Sequence, residues 1–302
     1  MNQWFPDYPS RDIDIVDYEP FTLAGCPVPF RGPGFDPLAA AEGTFFTCIG
    51  AAQTYGCFVD LPFPDLLADH LGLKALNLAV GGAGAGFYLQ YTALIKAMNR
   101  GRFVIVQAMA ARHEGNSRFA ADGYVEYMHD RKRGDSLDTV SAWSRALEEE
   151  PEAVPRLVAE SQANWLESMR RLRAAITVPV VFLWFSQGRA AAPAWPELLA
   201  DVGKRPAAEL VHRMFGAFPQ LVDDAMADTA AKTFTAHVRC VSERGMGAPL
   251  VNRQTGKPIN PADYSGRGVE YVALATGRND YYPSQEMHED AAAALLEVVR
   301  KF

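Results

Sequence analysis

The chain has 302 residues, 49% of them hydrophobic, and 29 Lys and Arg against 36 Asp and Glu give a formal net charge of −7. This is the composition of a soluble globular protein, long enough for one large domain or two small ones. Mild acidity argues against a sequence-independent nucleic-acid binder, whose surface runs basic, and no apolar run nears the roughly 20 residues that cross a bilayer.

The first residues, MNQWFPDYPSRDIDIVDYEP, carry neither a basic n-region nor an apolar h-region. Cys26, Cys48, Cys57 and Cys240 are scattered without a CxxC pair and read as reduced thiols, so a cytoplasmic location and no cysteine metal site are expected. Residues 1–43 hold Trp4, Phe5, Tyr18, Phe21 and Phe30, too many aromatics for a disordered tail, and read as an arm packed on the core.

From residue 44 the pattern becomes regular. TFFTCIG (44–50) reads as a buried strand and PFPDLLADHLG (62–72) as a helix, with Pro64 in its first turn and Gly72 closing it. ALNLAV (75–80) is a second strand. GGAGAG (81–86) then opens a helix over 87–101, with Phe87, Tyr91, Leu94, Ile95 and Met98 on one face. RFVIVQAM (102–109) is apolar on both faces, as a central parallel strand is. A long polar excursion starts at Ala111, and a helix from Pro155 to Ile176 follows, preceded by acidic Glu148 to Glu152. VPVVFLWF (178–185) is a fourth strand, and residues 186–218 read as a lid. FPQLVDDAMADTAAKTF (218–234) is a helix with Pro219 in its first turn, and TAHVRCVS (235–242) is a fifth strand. NRQTGKP (252–258) suits a hairpin turn, VEYVALA (269–275) a sixth strand, and SQEMHEDAAAALLEVVRKF (284–302) a helix that Ser284 caps.

Strands alternating with helices predict an α/β fold, a three-layer α/β/α sandwich with a mostly parallel, flavodoxin-like sheet. The expected organisation is one α/β domain over 44–302, with insertions at about 110–150, 186–218 and 243–268. Ligands of such sheets bind beyond the carboxyl ends of the strands, so the turns at 50–56, 81–86, 110–118 and 276–288 are expected to meet at one rim.

The order of these turns resembles the SGNH, or GDSL, hydrolase superfamily over residues 44–116 and 276–302. That family carries a nucleophilic serine in a Gly-Asp-Ser turn after its first strand, a glycine after the second, an asparagine after the third, and Asp-x-x-His before its last helix. Gly50, Thr54 and Gly56 agree with the first turn, but Ala51 and Ala52 stand where the Asp and Ser would be. Asn77 and Gly81-Gly82 resemble the second block, Asn116 is the candidate for the third, and His288 fits the final histidine, with Gln285 in place of the aspartate. The AQT-x-G turn and the YYPS-x-x-MH ending also resemble an uncharacterised bacterial domain family. An alanine methyl cannot attack a carbonyl and a neutral amide cannot stabilise an imidazolium, so serine-esterase chemistry from position 52 is excluded if this correspondence holds.

The resemblance implies His288 as acid or base; beside it, the residues themselves offer Asp280 to orient His288 from the loop in place of the lost carboxylate, and a candidate substrate site of Ala52, Gln53, Thr54, Gly82, Arg112, Asn116, Ser117 and Ser284. Plainer readings stand beside several of these. Thr54 suits a local backbone bond, Cys57 a small apolar filler, Ser284 a helix cap and His288 a surface position. Arg112, His113, Asn116, Ser117 and Arg118 cluster directly after a strand, and arginine forks suit carboxylate, phosphate or sulfate. GGAGAG lacks the third glycine of GxGxxG, because Phe87 stands there, and no GxxxxGK[ST] occurs, so no dinucleotide or P-loop cofactor is expected. Three functions remain. One is an ester hydrolase or transferase acting on an anionic or saccharide substrate. The second is a non-catalytic binder of a ligand or partner, and the third a transferase with a nucleotide-type donor. The partner expected is a small-molecule or saccharide ligand, with no nucleic acid and no membrane, and a homo-oligomer is left open.

Overall fold

Alternate residues of an extended run face opposite ways, and this sorts the apolar strands into layers. The computed structural model describes residues 11–121, 125–188, 193–264 and 272–302, so Trp4 and Phe5 lie outside the described residues. Strands β1 (Phe21–Leu23) and β2 (Cys26–Phe30) form an antiparallel hairpin. Next come β3 (Phe45–Ile49), the one-turn helix α1 (Ala52–Tyr55), α2 (Phe63–Leu71), β4 (Lys74–Asn77), α3 (Ala85–Gln90), α4 (Thr92–Met98) and β5 (Val104–Gln107). The excursion holds β6 (Phe119–Ala121), β7 (Tyr127–Asp130), β8 (Asp135–Asp138) and α5 (Thr139–Glu149). Then follow α6 (Val154–Ala175), β9 (Val180–Ser186), α7 (Trp195–Ala200), α8 (Ala207–Phe215), α9 (Asp224–Ala231) and β10 (Ala236–Val241). The chain closes with β11 (Ala248–Pro249), α10 (Val272–Thr276), β12 (Arg278–Asn279) and α11 (Gln285–Val299).

The central sheet has five strands in the order β10-β9-β5-β3-β4, and every neighbouring pair is parallel. Phe46, Cys48, Ile105 and Leu183 face one side, where they pack with Phe63 and Leu67 of α2 and Met287, Ala291 and Leu295 of α11. Phe45, Ile49, Val106, Phe182 and Trp184 face the other, with Tyr88 of α3, Trp165 and Met169 of α6 and Met226 of α9. The architecture is therefore a three-layer α/β/α sandwich with flavodoxin-like strand order. After β3 the chain leaves toward the α2 face, and after the adjacent β5 it goes to the α6 face. That divergence opens a crevice at the carboxyl ends of β3 and β5.

Several elements differ from the sequence expectation. The helix over 87–101 is two helices, because Tyr91 adopts an extended conformation between them. The long excursion is built, not loose: β6, β7 and β8 form a three-stranded antiparallel sheet. Glu148 and Glu149 close α5, and Glu149 and Glu150 pair with Arg118, Lys132 and Arg133. The helix expected from Phe218 begins at Asp224, where the Asp223 carboxylate accepts from Met226 N at 2.8 Å and caps it. The expected sixth strand at 269–275 is instead helix α10 over its described part. No helix among the described residues is long and apolar enough to cross a membrane.

Candidate functional site

The turn after β3 is fixed from below by a carboxamide at the end of β5. Gln107 Oε1 accepts from Ala51 N at 3.1 Å and from Thr54 Oγ1 at 2.7 Å. Tyr88 Oη lies 2.7 Å from Gly50 O and 3.1 Å from Leu78 O, and accepts from Gly50 N at 3.0 Å. A side chain at Gly50 would place its Cβ 2.4 Å from Gln107 Oε1, so only glycine admits this close approach. Asn77, at the end of β4, donates to Thr54 O at 3.0 Å and accepts from Ala79 N at 3.1 Å. Thr54 is fully buried and its hydroxyl is engaged inward. Ala51 and Ala52 are left facing the crevice.

There a cavity of about 540 Å³ opens. Ala51, Ala52 and Gln53 come from the first turn, Gly82 and Ala83 from the second, and Ala110, Arg112 and His113 from the third. Arg278, Asp280, Tyr281 and Tyr282 come from the turn before α11, and Glu126, His212, Phe218, Gln220 and Ala273 complete the wall. Gln53 is 3% exposed and its Oε1 has no hydrogen-bond partner among the described residues. Arg112 pairs with Glu126 across the cavity wall, while Trp143 Nε1 donates to Arg112 O at 2.7 Å and the guanidinium lies 5.7 Å from the Phe215 ring centre. The His113 ring leans on Gly84, and neither of its nitrogens has a hydrogen-bond partner among the described residues. Burial, with Arg112 beside it, holds His113 down to about 3, so its imidazole is neutral at physiological pH.

Of the expected site residues, the cavity gathers Ala52, Gln53, Gly82, Arg112 and Asp280. It does not gather the others. His288 is fully buried with the rings of Phe63 and Phe185, its Nδ1 accepts from Phe63 N at 3.1 Å, and it does not line the cavity. Burial, and then Arg31, hold its imidazole down to about 3. Gln285, in the place of the family's aspartate, instead clasps Leu61, donating to its carbonyl at 2.8 Å and accepting from its amide at 3.2 Å. Ser284 caps α11, accepting from Met287 N at 3.1 Å. Asn116 holds its own loop: Oδ1 accepts from Phe119 N at 2.8 Å and Nδ2 donates to Ser161 at 3.1 Å. Ser117 is exposed and its hydroxyl accepts from Arg156 at 2.9 Å.

Sequence reasoning passed over Glu126, Gln220, Arg278 and Tyr281. Arg278, Asp280 and Tyr281 lie within four consecutive residues, so Asp280 itself was the signal for its neighbours. Glu126 lies in the middle of the excursion and carried no signal. Among the described residues no group of three or more His, Cys, Asp or Glu is placed to hold a metal ion.

Comparison with known proteins adds little to this geometry. A family model described as a domain of unknown function, DUF6473, matches residues 7–122. No curated protein matches the chain. Among solved structures, it is similar to a carbohydrate esterase family 2 enzyme with a carbohydrate-binding domain from Myceliophthora fergusii, at 12% identity and a TM-score of 0.38, over 90% of this chain and 72% of that one. A family two carbohydrate esterase from Clostridium thermocellum, in complex with cellohexaose, matches at 9% identity and 0.39, over 91% and 67%. An acetyl xylan esterase from Butyrivibrio proteoclasticus matches at 9% and 0.39, over 87% and 65%. At this distance the site has to be read from the chain's own residues.

Proposed function

We propose that this chain is a divergent SGNH-like protein that binds a small anionic or saccharide-type ligand in the cavity, without serine-ester chemistry. The observation that carries the reading is the cavity floor, where methyl groups of Ala51 and Ala52 stand in place of a nucleophile and its neighbour. The parts of a triad are spent elsewhere: His288 accepts from a backbone amide, Gln285 clasps Leu61, and the Thr54 and Ser284 hydroxyls make structural bonds. What remains on the walls is recognition chemistry. Arg112 and Arg278 suit an anionic group, Gln53, Gln220 and Asp280 suit hydroxyls, and Tyr281, backed by the buried Tyr282, offers an apolar ring.

A second reading, a hydrolase or group transferase that activates water or an acceptor hydroxyl directly, is favoured by Asp280. Its carboxylate lines the cavity and has no ion-pair partner among the described residues. A donor with an anionic group, such as a nucleotide, would place that group on the arginines.

One set of measurements separates the two. Calorimetry with oligosaccharides, nucleotides and small anions should show binding to the native chain, and ester and sulfate-ester substrates should show no turnover above background. Ala52→Ser should stay at background too, because the histidine that would pair with it is buried behind Phe63. A turnover that survives purification and is lost in Asp280→Asn would replace the binding reading with the second one. Absence of binding by every ligand class would reject both.

A further inference from the structure

Gly82 has a positive φ of 75°, and a Cβ built there would lie 2.1 Å from Glu126 Cγ and 2.7 Å from Oε1. The Glu126 side chain is thus laid over a space that only glycine leaves open, and from there it pairs with Arg112. The two partners are unequally held. The Arg112 side chain is 14% exposed, whereas that of Glu126 is 43% exposed. The Arg112 backbone is held through Trp143 and its guanidinium rests on Phe215, while the Glu126 side chain stays nearly half exposed.

The backbone at Glu126 is also unusual. Its φ is +65°, a left-handed conformation that is unfavourable for a non-glycine residue and persists only where the surroundings fix it. Here Thr139 fixes it, donating to Glu126 O from its amide at 2.9 Å and from its hydroxyl at 2.8 Å. The main chain is pinned by Thr139, while the carboxylate's only ion pair among the described residues is the one with Arg112.

We infer that Arg112 is the anion-binding group of the cavity and that Glu126 is an internal competitor for it, displaced when a ligand brings its own carboxylate, sulfate or phosphate. This rests on the reading of the cavity as a site for an anionic ligand. Gln53, which lines the same cavity and has a buried Oε1 without a hydrogen-bond partner among the described residues, supplies an acceptor for a hydroxyl on that ligand. The ligand class is therefore a small molecule bearing one anionic group and at least one hydroxyl, as in a sugar acid, a sugar sulfate or a sugar phosphate.

The test is calorimetric titration with sodium sulfate at constant ionic strength. If the internal pair closes the site for about 80–90% of the time, removing it tightens apparent binding about five- to tenfold, since the apparent dissociation constant is the intrinsic one divided by the open fraction. Glu126→Gln is expected to show that gain. Glu126→Gly is expected to show it without loss of thermal stability, because glycine accepts a positive φ freely. Arg112→Gln should weaken sulfate at least tenfold, and adding Glu126→Gln to it should then change nothing. Unchanged or weaker binding in both Glu126 variants, or a gain that persists without Arg112, overturns the inference. If that happens while neutral oligosaccharides still bind the native chain, the cavity reading stands alone; if neither sulfate nor oligosaccharide binds the native chain or either variant, both fall.

Discussion

His288 occupies the position where the family resemblance places an active histidine, yet its environment is that of a core residue. Met287, His288, Ala291, Ala292, Leu295 and Val299 are the buried positions of α11, a stripe at helical spacing. That stripe was present in the sequence, and it outweighs the motif, because a helix docked on a sheet decides which of its residues face inward. The burial has a pH signature. The folded imidazole takes a proton only near 3, whereas an unfolded one takes it near 6.5. Between those values unfolding binds a proton, so this contribution to stability is present above about 6.5 and is lost as pH falls toward 3. His288→Gln, which can still accept from Phe63 N, should lessen the acid-induced drop in urea stability over that window by on the order of a few kcal/mol. An unchanged drop would mean that the imidazole titrates normally. His113 titrates in the same direction, so part of the drop should remain in the variant.

At the scale of elements, the turn between β3 and α1 depends on a partner that is distant in sequence. The apolar run and its closing glycine made β3 and the turn legible, since short buried strands end where a glycine permits close approach. The Gln107 carboxamide that receives Ala51 N and Thr54 Oγ1 was not legible, because it comes from a strand 53 residues or more away. Gly50→Ala drives a methyl into that carboxamide and should cost about 1–3 kcal/mol, the usual toll of overpacking. Denaturant melts would check this, and a neutral result would show that the turn relaxes at little expense. The sixth strand failed for a related reason. Its apolar residues suit either element over so short a run, and Ala273 and Leu274 meet their buried partners from a helix.

Across the whole molecule, the layered α/β class followed from the alternation of strands and helices, and the meeting of four turns followed from parallel strands sharing one carboxyl edge, whereas the strand order came only with the structure. What could not be read was which side chains turn into the cavity, since that depends on packing between segments far apart, as with Glu126 over Gly82. Arg31 illustrates the same dependence. Buried at 3% exposure, it donates to Gly56 O at 2.7 Å, Val59 O at 2.9 Å and Asp60 O at 2.7 Å, with the Tyr18 ring centre 5.2 Å away. Arg31→Met would strand those carbonyls and should lower the unfolding free energy by roughly 2–4 kcal/mol; a thermal melt equal to that of the native chain would contradict this.

The stretch from Pro33 to Thr44 is mostly exposed, yet the residues just before it are locked to the main body by this guanidinium and by the buried ring of Phe30. A protease nick within that connector would therefore sever a covalent tie without releasing what lies upstream. The two pieces should co-elute as one particle and separate only in denaturant.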